Sequence, residues 1–372
     1  MSTTLHIGTD TYRLDKFPLP ATTETNPAPL DICINNGYAY CSCEFDRKFY
    51  RVALNALDNT TCEAIAIPRP SSIFRLTLFN QDNPSLIAAH ENVRTDAAGV
   101  IWMSECGALP YMGRNLNASR VIRYDPNNSS TEAFSLPFDN AGVVGLYIDG
   151  ARLWVTCASP QVGAQLLVTR PASWPRSLTS PSSMPGTIPQ GTELAGWRSL
   201  TLPGTFPAHM TIGPDGRLWI TCYWSNSVLA VNRDTLAIQS YPLPATTLPL
   251  GRGPWQLTFD LGGGLWVSCD NAREIAKLIP STGEWIVYPT GCNDNDQVHS
   301  LAINGGSIWF TAYGVLSGGR IGRRTATGIM ELSEPFDSVG LPKGAAGIAF
   351  DYTGAIWISL FGSQAIGRLT KI

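Results

Sequence analysis

One phrase recurs along the chain and limits what it can fold into: a turn of small residues, then apolar–Trp–apolar–Ser/Thr. It reads GVIWMSE (Gly99 to Glu105), ARLWVTC (Ala151 to Cys157) and GRLWITC (Gly216 to Cys222). It returns as GGLWVSC (Gly263 to Cys269), GSIWFTA (Gly306 to Ala312) and GAIWISL (Gly354 to Leu360). A weaker copy, GYAYCSC (Gly37 to Cys43), comes first and has Tyr40 in the Trp position. The seven copies stand roughly 43 to 65 residues apart, the period of propeller blades or slightly longer. Before each copy lies a short apolar strand ending in a hairpin turn, such as HMTIGPDG or IAFDYTG. After it comes a third strand such as SVLAVNR or QAIGRLT, then a fourth such as QSYPLPA or EWIVYPT. The fourth ends in Pro, which an outer edge tolerates because no partner needs the missing N–H. Four strands per unit make a blade.

The repeat thus predicts an all-β chain: a seven-bladed β-propeller of four-stranded antiparallel blades, one domain over 1–372. The last unit stops at Ile372 after its third strand. YRLDKFPLP (Tyr12 to Pro20) matches the outer-strand pattern and is predicted to close the last blade, hiding the edges of an open sheet. Blade 3 carries a long insertion, about 160–203, rich in Pro and Ser. Such an insertion is either a lid or a surface loop, and Trp174 and Trp197 favour a packed lid.

Composition narrows the partners. The chain has 35 Gly, 27 Pro and only 15% charged residues, a turn-dense and strand-rich balance. A net charge of -3 gives no basic footprint, so nucleic acid is not expected as a partner. No apolar run approaches ~20 residues, so no membrane span is expected. Nine Cys without CxxC spacing, and an N-terminus lacking a charged segment followed by an apolar run, predict a cytoplasmic protein with reduced thiols. A closed ring needs no partner to cover an edge, so a monomer is expected.

From about Phe206 to Ile372 the repeat resembles the virginiamycin B lyase (streptogramin lyase) family. The carrying phrases are GSIWFTA followed by GGRIGRRTATGIMEL, GAIWISL followed by QAIGRLT, and SVLAVNRDTLAIQSYPLP. They are similar to that family's unit, G-x-hydrophobic-W-F-T-E … N-x-I-G-R-I … G-x-I-x-E-Y-x-L-P. From Thr11 to Pro203 the match is degenerate. The resemblance implies a propeller and a Mg²⁺-dependent lyase that opens a cyclic depsipeptide ester by elimination. It also implies a catalytic His just before the first strand of a blade and a catalytic Glu ending the W-F-T-E run of the same blade.

Aligned on their Trp, the blades carry Leu30, Glu91, Val144, Ala208, Trp255, His299 and Ala346 at the place of that His. The next residues are Asp31, Asn92, Gly145, His209, Gln256, Ser300 and Gly347. At the place of the Glu stand Cys43, Glu105, Cys157, Cys222, Cys269, Ala312 and Leu360. These sets are predicted to ring one mouth of a central channel. His299 matches by position, but Ala312 stands where its Glu should be. Glu105 ends its run correctly in blade 2, and His209 is displaced by one residue. His299, Glu105, Glu91 and His209 are the candidate acid–base groups, since imidazole titrates near neutrality and two carboxylates from one blade can share a proton. Each also has a structural reading, as a hydrogen-bonded channel His or a solvated turn carboxylate. A divalent cation, Mg²⁺ or Ca²⁺, held by Glu91, Glu105 and Asp31 remains open.

Aromatic residues follow the same rim: Trp255, Tyr223, Trp224, Tyr313 and Phe361. With Gln256, Cys222 and Cys269 they are the candidate substrate-binding set, an apolar cup for a hydrophobic ligand. The ring cysteines Cys43, Cys157, Cys222 and Cys269 read first as small packing residues, with a soft-metal or thiolate site as the alternative. The repeated Trp are blade-packing residues. The preferred function is an enzyme acting on a small hydrophobic natural product by elimination, isomerisation or cyclisation. That class includes a pericyclase-like mode, known in certain fungal hetero-Diels–Alderases that resemble this chain at fold level. Alternatives are a metal-dependent lactonase-type hydrolase and a non-catalytic propeller scaffold.

Overall fold

The computed structural model describes residues 3–20, 28–43, 48–67, 89–106, 120–136, 142–150, 152–159, 163–169, 193–194, 197–293, 296–314, 318–336 and 343–372. Their strands form seven antiparallel sheets, two of them bridged where Tyr313 and Gly314 pair with Gly344 and Lys343. The first strands of the sheets, in chain order, are Pro29–Asn35, Ala89–Thr95, Gly142–Asp149, Pro207–Ile212, Pro254–Phe259, Asp296–Asn304 and Lys343–Phe350. Each packs against the next, and the seventh returns to the first, so the sheets close into a ring of blades, numbered here 1 to 7. No helix is long and apolar enough to cross a membrane among the described residues.

The predicted closure is present. Asp10–Pro18 pairs with Ala365–Lys371, from Tyr12 opposite Lys371 to Pro18 opposite Ala365. Two features go beyond the four-strand pattern. Thr3–Ile7 adds a fifth strand to blade 7, and Glu193–Leu194 adds one to blade 3 outside Trp197–Thr201. The predicted insertion therefore contains the third strand of blade 3, Gly163–Thr169, and its outer strands. Trp197 is fully buried in the core between blades 2 and 3. Trp174 lies outside the described residues.

The recurring phrase has a physical cause at each place. Its Trp fills the core between blades: Trp154, Trp219 and Trp357 are almost wholly buried. In four blades the indole N–H donates to an Asp at the preceding turn, as Trp266 does to Asp260 and Trp357 to Asp351, both at 2.8 Å. The Ser/Thr two residues later stitches the ring together. Every first strand bulges at the same place: in six blades two residues stand opposite one residue of the second strand, and in blade 2 Glu91 alone is inserted. The hydroxyl accepts the N–H of the second bulge residue in its own blade and donates to the carbonyl of the first bulge residue in the next. Thr221 accepts from His209 N (3.1 Å) and donates to Trp255 O (2.6 Å). Ser268 accepts from Gln256 N (2.9 Å) and donates to His299 O (2.6 Å). Ser359 accepts from Gly347 N (2.6 Å) and donates to Leu30 O (2.7 Å), which joins blade 7 to blade 1. The bulge would leave these buried backbone groups unpaired, and the side chain satisfies them.

Candidate functional site

The bulge pairs are the two aligned sets read from the sequence, from Leu30 and Asp31 in blade 1 to Ala346 and Gly347 in blade 7. A bulge re-aims side chains out of the strand's alternation, and here it does so at one end of every first strand. His299 sits in the bulge of blade 6. Its backbone is fixed on three sides: its carbonyl by Ser268, the Ser300 N–H by Thr311 (3.2 Å), and the Leu301 N–H by the Gln256 side-chain carbonyl.

The imidazole meets a carboxylate from the neighbouring blade. His299 Nδ1 lies 3.5 Å from Asp270 Oδ1, and the two side chains are only 8% and 7% exposed. At that separation the two atoms face each other without a hydrogen bond, and catalytic contacts of this kind are often long in the free enzyme and tighten when a substrate is bound. Asp270 Oδ2 accepts from the Tyr223 hydroxyl (3.2 Å), whose proton is shared with Asn271 Oδ1 at 2.8 Å. Burial and the Asp270 charge push the Tyr223 phenol well above its ordinary range, so it stays protonated and a donor. Gly253 makes this cluster possible. It has φ +63, and a Cβ there would stand 2.6 Å from Asn271 Nδ2 and 3.0 Å from Tyr223 Cε2.

Aromatic rings enclose the dyad in an arc over blades 4 to 7. Trp224 stacks on Phe206 (5.0 Å, 29°), and Phe206 on Trp255 (6.3 Å, 21°). Trp255 lies 5.1 Å from the His299 ring, His299 meets Tyr313 edge to face at 5.2 Å, and Tyr313 stacks on Phe361 (6.3 Å, 18°). Tyr223 abuts both Phe206 and Trp255. The five rim aromatics read from the sequence are thus brought together around His299.

Other expectations need correction. Glu105 lies at the same end of blade 2, but its carboxylate is ion-paired with Arg120 on the neighbouring strand, and both are buried. It ties two strands together instead of serving as an acid. His209 is buried against the Trp255 edge at 5.1 Å. Burial, then the charges of Arg94 and His299, hold its imidazole well below the usual histidine range, so it stays neutral and is no proton carrier near neutrality. Gln256 turns to the Leu301 N–H and braces the dyad rather than a ligand. Cys222 and Cys269 are wholly buried in the cores between blades, where burial pushes both thiols up to about 12. They are packing residues and do not reach a ligand. Glu91 stands in the blade 2 bulge, and its side chain lies outside the described residues.

Among the described residues the donor set does not fit the Mg²⁺ that the resemblance implies. Ala312 replaces the Glu, Glu105 is held by Arg120, and Asp31 accepts from Ile32 N, Val93 N and Arg94 Nη1 (2.9, 3.1 and 2.6 Å). Among the described residues no three His, Cys, Asp or Glu side chains could hold a metal ion.

Two residues of this site escaped the sequence reading. Asp270 directly follows Cys269, one step beyond the place searched for a Glu. Phe206 directly precedes the strand Pro207–Ile212. Its φ is +55, a conformation costing a bulky residue about 1–3 kcal/mol. A separate groove of about 610 Å³, lined by Pro214, Phe259, Lys277, Ile279 and Ile286, lies between blades 4 and 5 at the other end of the strands. Its cations are already paired, Lys277 with Asp260 and Arg217 with Asp215.

No family model and no curated protein matches the chain. Solved structures do. A streptogramin B lyase structure aligns at TM-score 0.70 and 19% identity, covering 97% of this chain and 98% of the other. Virginiamycin B lyase from Staphylococcus aureus aligns at TM-score 0.70 and 18% identity over 97% and 100%. The RRP9 WD40 repeats align at TM-score 0.64 and 8% identity over the whole of both chains. The chain is therefore similar to virginiamycin B lyase in fold along nearly its full length, an all-β propeller.

Proposed function

We propose that the mouth over blades 4 to 7 is the active site of a lyase or cyclase-type enzyme for a small hydrophobic organic molecule, with His299 as its acid–base group. The observation that carries this reading is the His299–Asp270 pair set between the Trp255 and Tyr313 rings. A carboxylate facing Nδ1 fixes the tautomer that keeps the proton on Nδ1, and leaves Nε2 as the atom that accepts one. In an elimination, Nε2 removes a proton from carbon. The C–H electron pair becomes the new double bond, and the leaving oxygen departs with its bonding pair. The proton then passes from Nε2 to that oxygen. Asp270 offsets the positive charge on the imidazolium between the two steps. Isomerisation or cyclisation would use the same proton acceptor and return the proton to a different atom. The aromatic arc excludes water and holds the reactive conformer, and orientation alone lowers a barrier by several kcal/mol. Because one chain closes its own ring, the site is complete in a single copy.

The test uses a streptogramin B depsipeptide as first substrate, beside a panel of apolar esters and lactones, with products read by mass spectrometry. Elimination opens a ring without changing its mass, whereas hydrolysis adds one water. The expected result is a mass-neutral product, formed about 10²–10⁴-fold more slowly by His299→Ala. A hydrolysed product, or a rate indifferent to His299→Ala, would overturn the reading.

A further inference from the structure

We propose that the stack Trp224–Phe206–Trp255 is a platform for a planar, conjugated ring of the ligand, and that Phe206 is the residue that specifies it. This deepens the reading of the same mouth as an active site and rests on it. In blades 4, 5 and 7 the residue before the first strand's opening pair gives its carbonyl to the residue just past the second strand. Phe206 O accepts from Tyr223 N (2.9 Å), Gly253 O from Asp270 N (2.9 Å) and Gly344 O from Phe361 N (2.8 Å). All three residues lie at positive φ, +55, +63 and +139. Blades 5 and 7 meet that demand with glycine, which adopts it without strain. At Gly344 a Cβ would collide with Tyr313. Blade 4 places a phenylalanine there, against the backbone's preference. The hydrogen bond does not need the phenyl ring, since glycine makes the same bond twice.

The ring's own position supplies the reason. It is buried against two indoles, stacked on each with its plane inclined at 29° to Trp224 and 21° to Trp255. Trp255 at one end touches His299. Trp224 at the other end is 45% exposed. A stack of rings ending in an accessible indole accepts a further flat π-system in the same offset geometry. A saturated ring of equal size covers apolar area there without that gain. The ligand is therefore one whose planar ring lies on Trp224 while its reacting part extends past Trp255 to His299.

The probes are 2-naphthol and its saturated counterpart, decahydro-2-naphthol, titrated calorimetrically into the full chain at up to millimolar concentration. The expected result is that 2-naphthol binds about fivefold or more tightly. Trp224→Ala, an exposed position, and Phe206→Leu, which keeps apolar bulk on the same backbone, should each bring the pair within about twofold. His299→Ala should keep the preference, so a failure of the proton-transfer reading is seen separately from a failure of the platform. Equal affinity for the two probes, no binding of either, or an intact preference in Trp224→Ala would overturn the proposal. Should Phe206→Leu not fold, the Trp224→Ala result decides alone.

Discussion

His299 of blade 6 and Asp270 of blade 5 face each other across the seam between their blades, Nδ1 to Oδ1 at 3.5 Å, with Tyr223 of blade 4 donating to the far oxygen of the same carboxylate. Three side chains from three blades thus form one chain of polar contacts. Removing the Tyr223 hydroxyl leaves Asp270 less firmly aimed. Tyr223→Phe is expected to lower kcat about tenfold with little change in KM, the pattern of a positioning residue whose effect falls on the chemical step. An equal rise in KM with kcat unchanged would place the hydroxyl in ligand binding instead.

Ser268 couples the ring's architecture to the site, since its hydroxyl accepts from Gln256 N and donates to the carbonyl of His299. Ser268→Ala leaves that buried carbonyl and N–H without their side-chain partner. The expected cost is about 1–3 kcal/mol of stability, read by denaturant titration, together with a fall in turnover. Ser42→Ala, in blade 1, should cost stability through its bonds with the Asp31 backbone and leave turnover intact.

The pH dependence of stability has a definite sign at His209. Burial depresses its imidazole in the folded state below the ordinary 6.5. As pH falls through about 6.5 the unfolded chain takes up a proton that the folded chain refuses, so stability drops, by at most about 1.4 kcal/mol per pH unit for this one group. Asp215, Asp260 and Asp351 are lowered from 3.8, and what they contribute is present above 3.8 and lost only as pH falls below it. Thermal midpoints between pH 7.5 and 5 should therefore fall in the wild type. They should fall less in His209→Gln, and a parallel decline would remove His209 as the cause.

Much of the architecture was legible because it repeats. The Trp of each copy must fill a space between blades, and the Ser/Thr after it must pair a bulge, so the same letters return wherever the same contacts do. Closure by Tyr12 to Pro20 was readable from a strand missing at one end and spare at the other. The positions aligned on the Trp coincide with the bulges of the first strands, where Trp255 and His299 stand. Partner choice between strands and blades was not legible. Glu105 looked like a catalytic carboxylate until the register set Arg120 opposite it. His209 looked like a second base until its burial was seen. Asp270 is one acid among many in the sequence, and only the inter-blade seam brings it to His299. Phe206 is an ordinary letter whose meaning lies in a backbone angle that a sequence does not display.

His299 and Asp270 are proposed to act as one proton-transfer unit. A double-mutant cycle on turnover tests it most directly: His299→Ala, Asp270→Asn and the two combined, each checked for folding. The expected result is that the double variant is no slower than His299→Ala alone, because a carboxylate that works through an imidazole has no task once the imidazole is gone. Multiplicative losses, or an Asp270→Asn variant as fast as the wild type, would contradict it.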